Sequence, residues 1–168
     1  IEEALIALKA IKETGLPVLL HGYGSHMGDL AGLTPAIERG SYVYALPNAP
    51  IPLDLGFGAA GYAWSEPLDG GFDEDGAAEA QVEAFVDEVM KLYQVAPGNI
   101  VLGGFSQGGM MAYRHALPRP EVFRGLVALS AQIPDLDDMQ ALLPARRDQP
   151  VFISHGALDT LIPVEAGR

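Results

Sequence analysis

The chain has no cysteine among its 168 residues, which excludes disulfides, a thiolate metal site and a cysteine nucleophile. Basic residues are scarce: 10 Lys and Arg stand against 22 Asp and Glu, a formal charge of −12. A nucleic-acid partner needs clustered cations against its phosphates, so that class is set aside and the acidity reads as a solubility feature. No apolar run approaches the roughly 20 residues of a bilayer span, so stable membrane insertion is not expected. There is no H-E-x-x-H pattern, and no metal or other cofactor is expected. The opening "IEEAL" has neither an initiator Met nor a signal-like segment. A cytoplasmic protein is expected, its true N-terminus outside these residues.

What is present is an ordinary globular composition, 49% apolar and 19% charged, expected to form one domain over residues 1–168. Five short apolar runs read as buried strands: "PVLLH" (17–21), "YVYAL" (42–46), "NIVLGG" (99–104), "GLVALS" (125–130) and "VFISH" (151–155). Continuous runs of this kind suit strands covered on both faces, as in a parallel sheet. Between them, residues 77–94 carry a helical stripe of Val82, Phe85, Val86, Val89, Met90 and Tyr93, with Glu79, Glu83, Asp87 and Glu88 opposite. "SQGGMMAYRHAL" reads as a second helix, stopped by Pro118. The opening 1–16 reads as an amphipathic helix closed by Gly15, and 163–168 as helical. Residues 47–76, rich in Pro and Gly, read as one long loop carrying Phe57 and the only tryptophan, Trp64. The alternation predicts an α/β fold with a mostly parallel central sheet and helices on both faces.

One motif carries chemistry. Gly104-Phe105-Ser106-Gln107-Gly108 is a G-x-S-x-G sequence, a weak signal alone in a chain with 20 glycines but here set between a strand and a helix. In that context the turn lifts the Ser106 hydroxyl above the sheet edge, at a helix N-terminus that favours developing negative charge. "LLHGYGS" (19–25) follows the first strand, and its glycines free backbone amides to face a ligand. An oxyanion hole needs two such donors, and the amides of Tyr23 and Gln107 are the candidates. Asp159, past the fifth strand in "SHGALDTLIPV", is the candidate acid. Two alternatives stand beside it: Asp159 as a helix cap, and Asp135 as the acid.

"HGYGS", "GFSQGGMMA", "LVALSAQIP" and "SHGALDTLIPV" resemble the phospholipase/carboxylesterase family of α/β-hydrolases, relatives of the acyl-protein thioesterases, over about residues 17–168. The resemblance implies a serine hydrolase of short- to medium-chain carboxylic esters, with Ser106 as nucleophile and Asp159 as triad acid. Tyr23 and Gln107 would form the oxyanion hole, and Phe57, Trp64 and Ile133 would line the acyl groove. It implies a small acyl ester as partner and leaves room for a homodimer. Thioester or lysophospholipid cleavage by the same groups is one alternative; a non-catalytic acyl-binding protein of the same fold is another.

The chain departs from the family at both ends. It opens with a helix in place of the family's first strands, and it stops before the last strand and helix. The catalytic histidine of the family follows the Asp motif by one more strand. None of His21, His26, His115 and His155 stands there, and His26 is the only stand-in. The expectation is therefore that the native chain continues past Arg168 to that histidine. A rearranged chain, with "IEEALIALKAIKETGLPV" continuing "IPVEAGR", is the lesser alternative.

Overall fold

The computed structural model describes residues 15–37, 42–66, 76–134 and 136–167. The elements run β1 (Leu16–Leu20), α1 (Met27–Ile37), β2 (Ile51–Gly56), β3 (Ala59–Ala63), α2 (Ala77–Tyr93), β4 (Ile100–Phe105), α3 (Gln107–Ala116), β5 (Phe123–Leu129), α4 (Leu136–Leu142) and β6 (Val151–Ser154). β1, β4, β5 and β6 form a four-stranded sheet in that order, and every pairing in it is parallel. All four strands therefore end at one edge, and the loops leaving that edge carry Tyr23, Ser106 and Asp159.

The buried side of the sheet presents Leu16, Val18, Leu20, Ile100, Leu102, Leu126 and Ala128, which share one core with Val82 and Val86 of α2 and with Met111 and Ala112 of α3. The apolar stripe read from 77–94 is thus the face that α2 buries. The alternate residues Leu19, Val101, Val127 and Leu129 join Pro17, Ile37, Tyr42 and Tyr44 around a cavity of about 320 Å³. The edge strand β6, read from the sequence as buried, is exposed along its length because, among the described residues, only β5 pairs with it.

Two expectations are corrected. Residues 42–46 are not a strand: only Ala45 bridges to β1, accepting from Leu19 N–H at 3.1 Å and donating to the Pro17 carbonyl at 2.9 Å. The next residue able to continue that parallel ladder is Pro47, which has no N–H to give. The expected loop 47–76 contains the antiparallel hairpin β2–β3, turned by Phe57 and Gly58 at φ 52° and 80°. Two successive positive φ values define the mirror-image turn whose twist matches a two-stranded ribbon.

Of the expected helix 1–16, residues 1–14 lie outside the described residues, and Leu16 already belongs to β1. Asp135 also lies outside them. The stretch expected to be helical at 163–168 is a 3-10 turn over Val164–Gly167, with Arg168 outside the described residues.

Candidate active site

Ser106 sits between β4 and α3 with φ 52° and ψ −120°, the mirror image of an extended backbone, which residues with a Cβ rarely adopt. The turn is pinned on both sides. Ser106 N–H donates to Leu129 O of β5 at 2.9 Å, and Ser106 O accepts from Gly109 and Met110 N–H at 2.9 and 3.1 Å. The flanking glycines are required by contact: a Cβ on Gly108 would collide with the Leu20 and His21 carbonyls, and one on Gly104 with Gly108 itself. Helix α3 can thus press against the end of β1, and the Ser106 hydroxyl has no hydrogen-bond partner among the described residues.

The loop leaving β1 comes up beside the serine. A Cβ placed on Gly22 would lie 3.4 Å from Ser106 Cβ. The next amide, Tyr23 N–H, has no hydrogen-bond partner among the described residues, nor does the amide of Gln107 at the head of α3. Two backbone amides without a partner among the described residues thus lie in this loop and at the head of α3. The hairpin braces this loop. Gly24 N–H donates to Tyr62 O and Tyr62 N–H to Ser25 O, both at 2.9 Å, and a Cβ on Gly61 would strike the Gly24 carbonyl.

The Gln107 side chain ties the turn to the end of β3. Its Nε2 donates to Ser65 Oγ at 2.7 Å and to Ser65 O at 3.0 Å, while its Oε1 accepts from Trp64 N–H at 2.8 Å. Trp64 is fully buried, and its indole Nε1 donates to the His21 carbonyl at 2.8 Å. It is packed beneath the loop in the core, with no exposed surface in this structure. An indole of that size, with one donor, is buried wherever the donor finds a carbonyl. Phe57, the second expected groove residue, is fully exposed at the hairpin tip. Ile133, the third, is half-buried against the core.

His21 packs in the same cluster, its ring tilted at 38° to Trp64 with the centres 5.5 Å apart, and is wholly buried. Its Nε2 accepts from Ala49 N–H at 3.0 Å, and its Nδ1 is 2.8 Å from Gly22 O. A backbone N–H can only donate and a carbonyl can only accept, so the ring is neutral with its proton on Nδ1. Burial pushes its pKa below the usual value, against the pull of the Gly22 carbonyl; nearby His26 lowers it further and Asp29 opposes. The sequence offered the "HG" dipeptide as a signal for this residue but nothing that linked it to Trp64 or Gln107.

Asp159 holds a tight turn after β6. Its Oδ1 accepts from Leu161 and Ile162 N–H at 2.9 and 3.0 Å. These two bonds, Ile162's first, hold its pKa below the usual carboxylate value, with a smaller contribution from His155. Oδ2 faces His155 Nε2 at 3.6 Å, beyond good hydrogen-bond reach, because that nitrogen donates to Ile162 O at 2.7 Å. One carboxylate oxygen is thus taken by the turn, and the other is left to accept.

The histidines have other partners. His155 braces the Asp159 turn. His115, near the C-terminal end of α3, accepts at Nδ1 from Arg119 at 2.9 Å, and burial with Arg119 and Arg114 nearby pulls its pKa down to about 4. His26 is exposed, accepts at Nδ1 from Gly28 N–H at 3.0 Å and turns Nε2 towards Asp29 at 3.8 Å. Among the described residues no group of three or more His, Asp or Glu side chains is placed to hold a metal ion. None of the described helices is long and apolar enough to cross a membrane.

A parallel sheet with a serine held at this backbone angle, between a central strand and the helix that follows, defines the α/β-hydrolase class. Within it, the Phospholipase/Carboxylesterase family matches residues 1–168, and the chain belongs to that family. It is 29% identical to acyl-protein thioesterase 1 of Mycosarcoma maydis, over 94% of this chain and 74% of that protein. Among solved structures, esterase PE8 is similar at a TM-score of 0.73 and 32% identity, covering 91% of this chain and 73% of that one. Acyl-protein thioesterase 2 of Zea mays shares the fold at a TM-score of 0.66 and 22% identity, over 92% of this chain and 75% of its own. The chain is accordingly a hydrolase of the esterase and thioesterase type.

Proposed function

We propose that the protein is a serine esterase that cleaves carboxylic esters of short to medium acyl chains through an acyl-enzyme. The observation that carries this reading is the pair of unpartnered amides, Tyr23 and Gln107, on either side of the strained Ser106 turn. In the first step Ser106 Oγ attacks the ester carbonyl carbon, and its proton passes to an imidazole. The carbonyl oxygen becomes an oxyanion that the two amides bind, an interaction that strengthens as charge develops. Collapse expels the alcohol, which takes the proton back; water then repeats the sequence and releases the acid. Asp159 Oδ2 is the acceptor for the imidazole's other N–H. His21, His115 and His155 are all engaged elsewhere, so the imidazole is a histidine outside these three, and the His26 contacts favour one outside all four.

Thioester cleavage is the second reading, favoured by the likeness to acyl-protein thioesterase 1. A thioester carbonyl presents the same developing oxyanion to the same donors. Hydrolysis of matched oxygen and thio esters by the native protein tests both. Turnover that disappears in Ser106→Ala is expected, and turnover that survives the substitution overturns the proposal.

A further inference from the structure

Gly22 O and Tyr23 N–H belong to one peptide unit. In a planar trans peptide the carbonyl and the N–H point in opposite directions, so whatever fixes one aims the other. The Gly22 carbonyl is fixed from below by His21 Nδ1–H at 2.8 Å, with a longer contribution from Ser25 N–H at 3.2 Å. His21 is itself held in this tautomer, because Ala49 N–H occupies Nε2 at 3.0 Å. Its own carbonyl is gripped by the Trp64 indole, whose backbone N–H ends on Gln107. The ring is fully buried against Trp64 and Tyr62.

On this chain of contacts, and resting on the esterase reading above, we infer that His21 is a positioning residue. Its Nδ1 proton turns the Gly22–Tyr23 peptide so that Tyr23 N–H faces the space above Ser106, while the Trp64–Gln107 bonds hold the other oxyanion donor in register. The alternative orientation, with the peptide flipped, would direct the Gly22 carbonyl at the developing oxyanion and repel it. His21 touches no substrate atom. It acts through the peptide.

The two nitrogens can be separated by substitution in the native protein. Asn places its amide nitrogen where Nδ1 stands and keeps the bond to Gly22 O; Gln places its amide oxygen near Nε2, keeps the bond to Ala49 and loses the first. Both shrink the buried ring and should lower the unfolding midpoint. His21→Asn is expected to retain kcat within a few-fold, and His21→Gln to lose about 10²-fold in kcat with KM little changed, the cost of one misdirected oxyanion donor. Equal kcat in the two variants, or a loss confined to KM, overturns the inference. Nitrogen-15 shifts of the wild-type imidazole give a readout that needs no variant to fold. A protonated Nδ1 with bare Nε2 at neutral pH is expected, and the opposite tautomer overturns it. Absence of any Ser106-dependent turnover in the wild type would instead strike the esterase reading, and the tautomer measurement stands apart from it.

Discussion

The indole nitrogen of Trp64 donates to the carbonyl of His21 across 2.8 Å, joining the end of the hairpin to the loop that leaves the first strand. Through this bond the tryptophan supports the proposed oxyanion loop from inside the core. Trp64→Phe keeps most of the apolar volume and leaves the buried His21 carbonyl unpaired, a change worth about 1–3 kcal/mol. Its effect on kcat/KM should be the same for acetyl and octanoyl esters. A loss that grows with acyl length would return Trp64 to the groove.

Gln107 has two separable parts. The backbone amide is the proposed donor, and the side chain fastens Ser65 and Trp64. Gln107→Ala keeps the amide and strands three polar groups, so denaturant midpoints should fall by an equivalent of about 1–3 kcal/mol. An unchanged midpoint would show that the clamp carries no stability.

Asp159→Asn distinguishes the turn from the chemistry. Asparagine can still accept from Leu161 and Ile162 at Oδ1, so the unfolding midpoint should move little. The imidazole loses its anionic partner, and kcat should fall by roughly 10³- to 10⁴-fold. Loss of stability with activity retained would leave Asp159 as a cap alone.

The protein should lose stability in mild acid through His115. The unfolded chain's imidazole takes up a proton near pH 6.5, whereas the folded one resists until about 4. Between those values the unfolded state binds more protons, so stability is full above 6.5 and declines as the pH falls towards 4, by on the order of 3 kcal/mol from this group. His115→Asn, which can still accept from Arg119, should flatten that part of the pH profile of the unfolding free energy. An unaltered slope would contradict it.

Much of this was legible in the sequence, and the failures have separate physical causes. Strands β1, β4, β5 and β6 were readable as short continuous apolar runs, and helix α2 as a stripe of helical period. G-x-S-x-G with its flanking strand and helix put Ser106 at the β4–α3 turn, and "SHGALD" put Asp159 in the loop after β6, as the structure has them. The hairpin was hidden because Pro50, Pro52, Gly56, Gly58 and Gly61 look like loop residues, although Phe57-Gly58 is a two-residue turn between alternating runs. Tyr42 to Leu46 has the composition of a strand and lacks only a donor at position 47. The burial of Trp64 was not legible, because a lone tryptophan in a supposed loop gives no sign of which carbonyl its indole will find. The same holds for His21 and Gln107, whose partners lie 28 and 42 to 43 residues away in sequence.

The Ser106 backbone makes a claim of its own. Ser106→Ala retains a Cβ at φ 52° and should leave stability nearly unchanged, while Ser106→Gly, free of that conflict, should be more stable than the alanine variant by roughly 1 kcal/mol. Equal stabilities would mean that the turn holds no strain.

The central claim, that Ser106 is an activated nucleophile, is tested most directly by treating the native protein with a fluorophosphonate and mapping the adduct by peptide mass spectrometry. The account predicts one adduct, on Ser106, absent from Ser106→Ala and slowed in His21→Gln. An unlabelled Ser106, or equal labelling of another serine in the alanine variant, would contradict it.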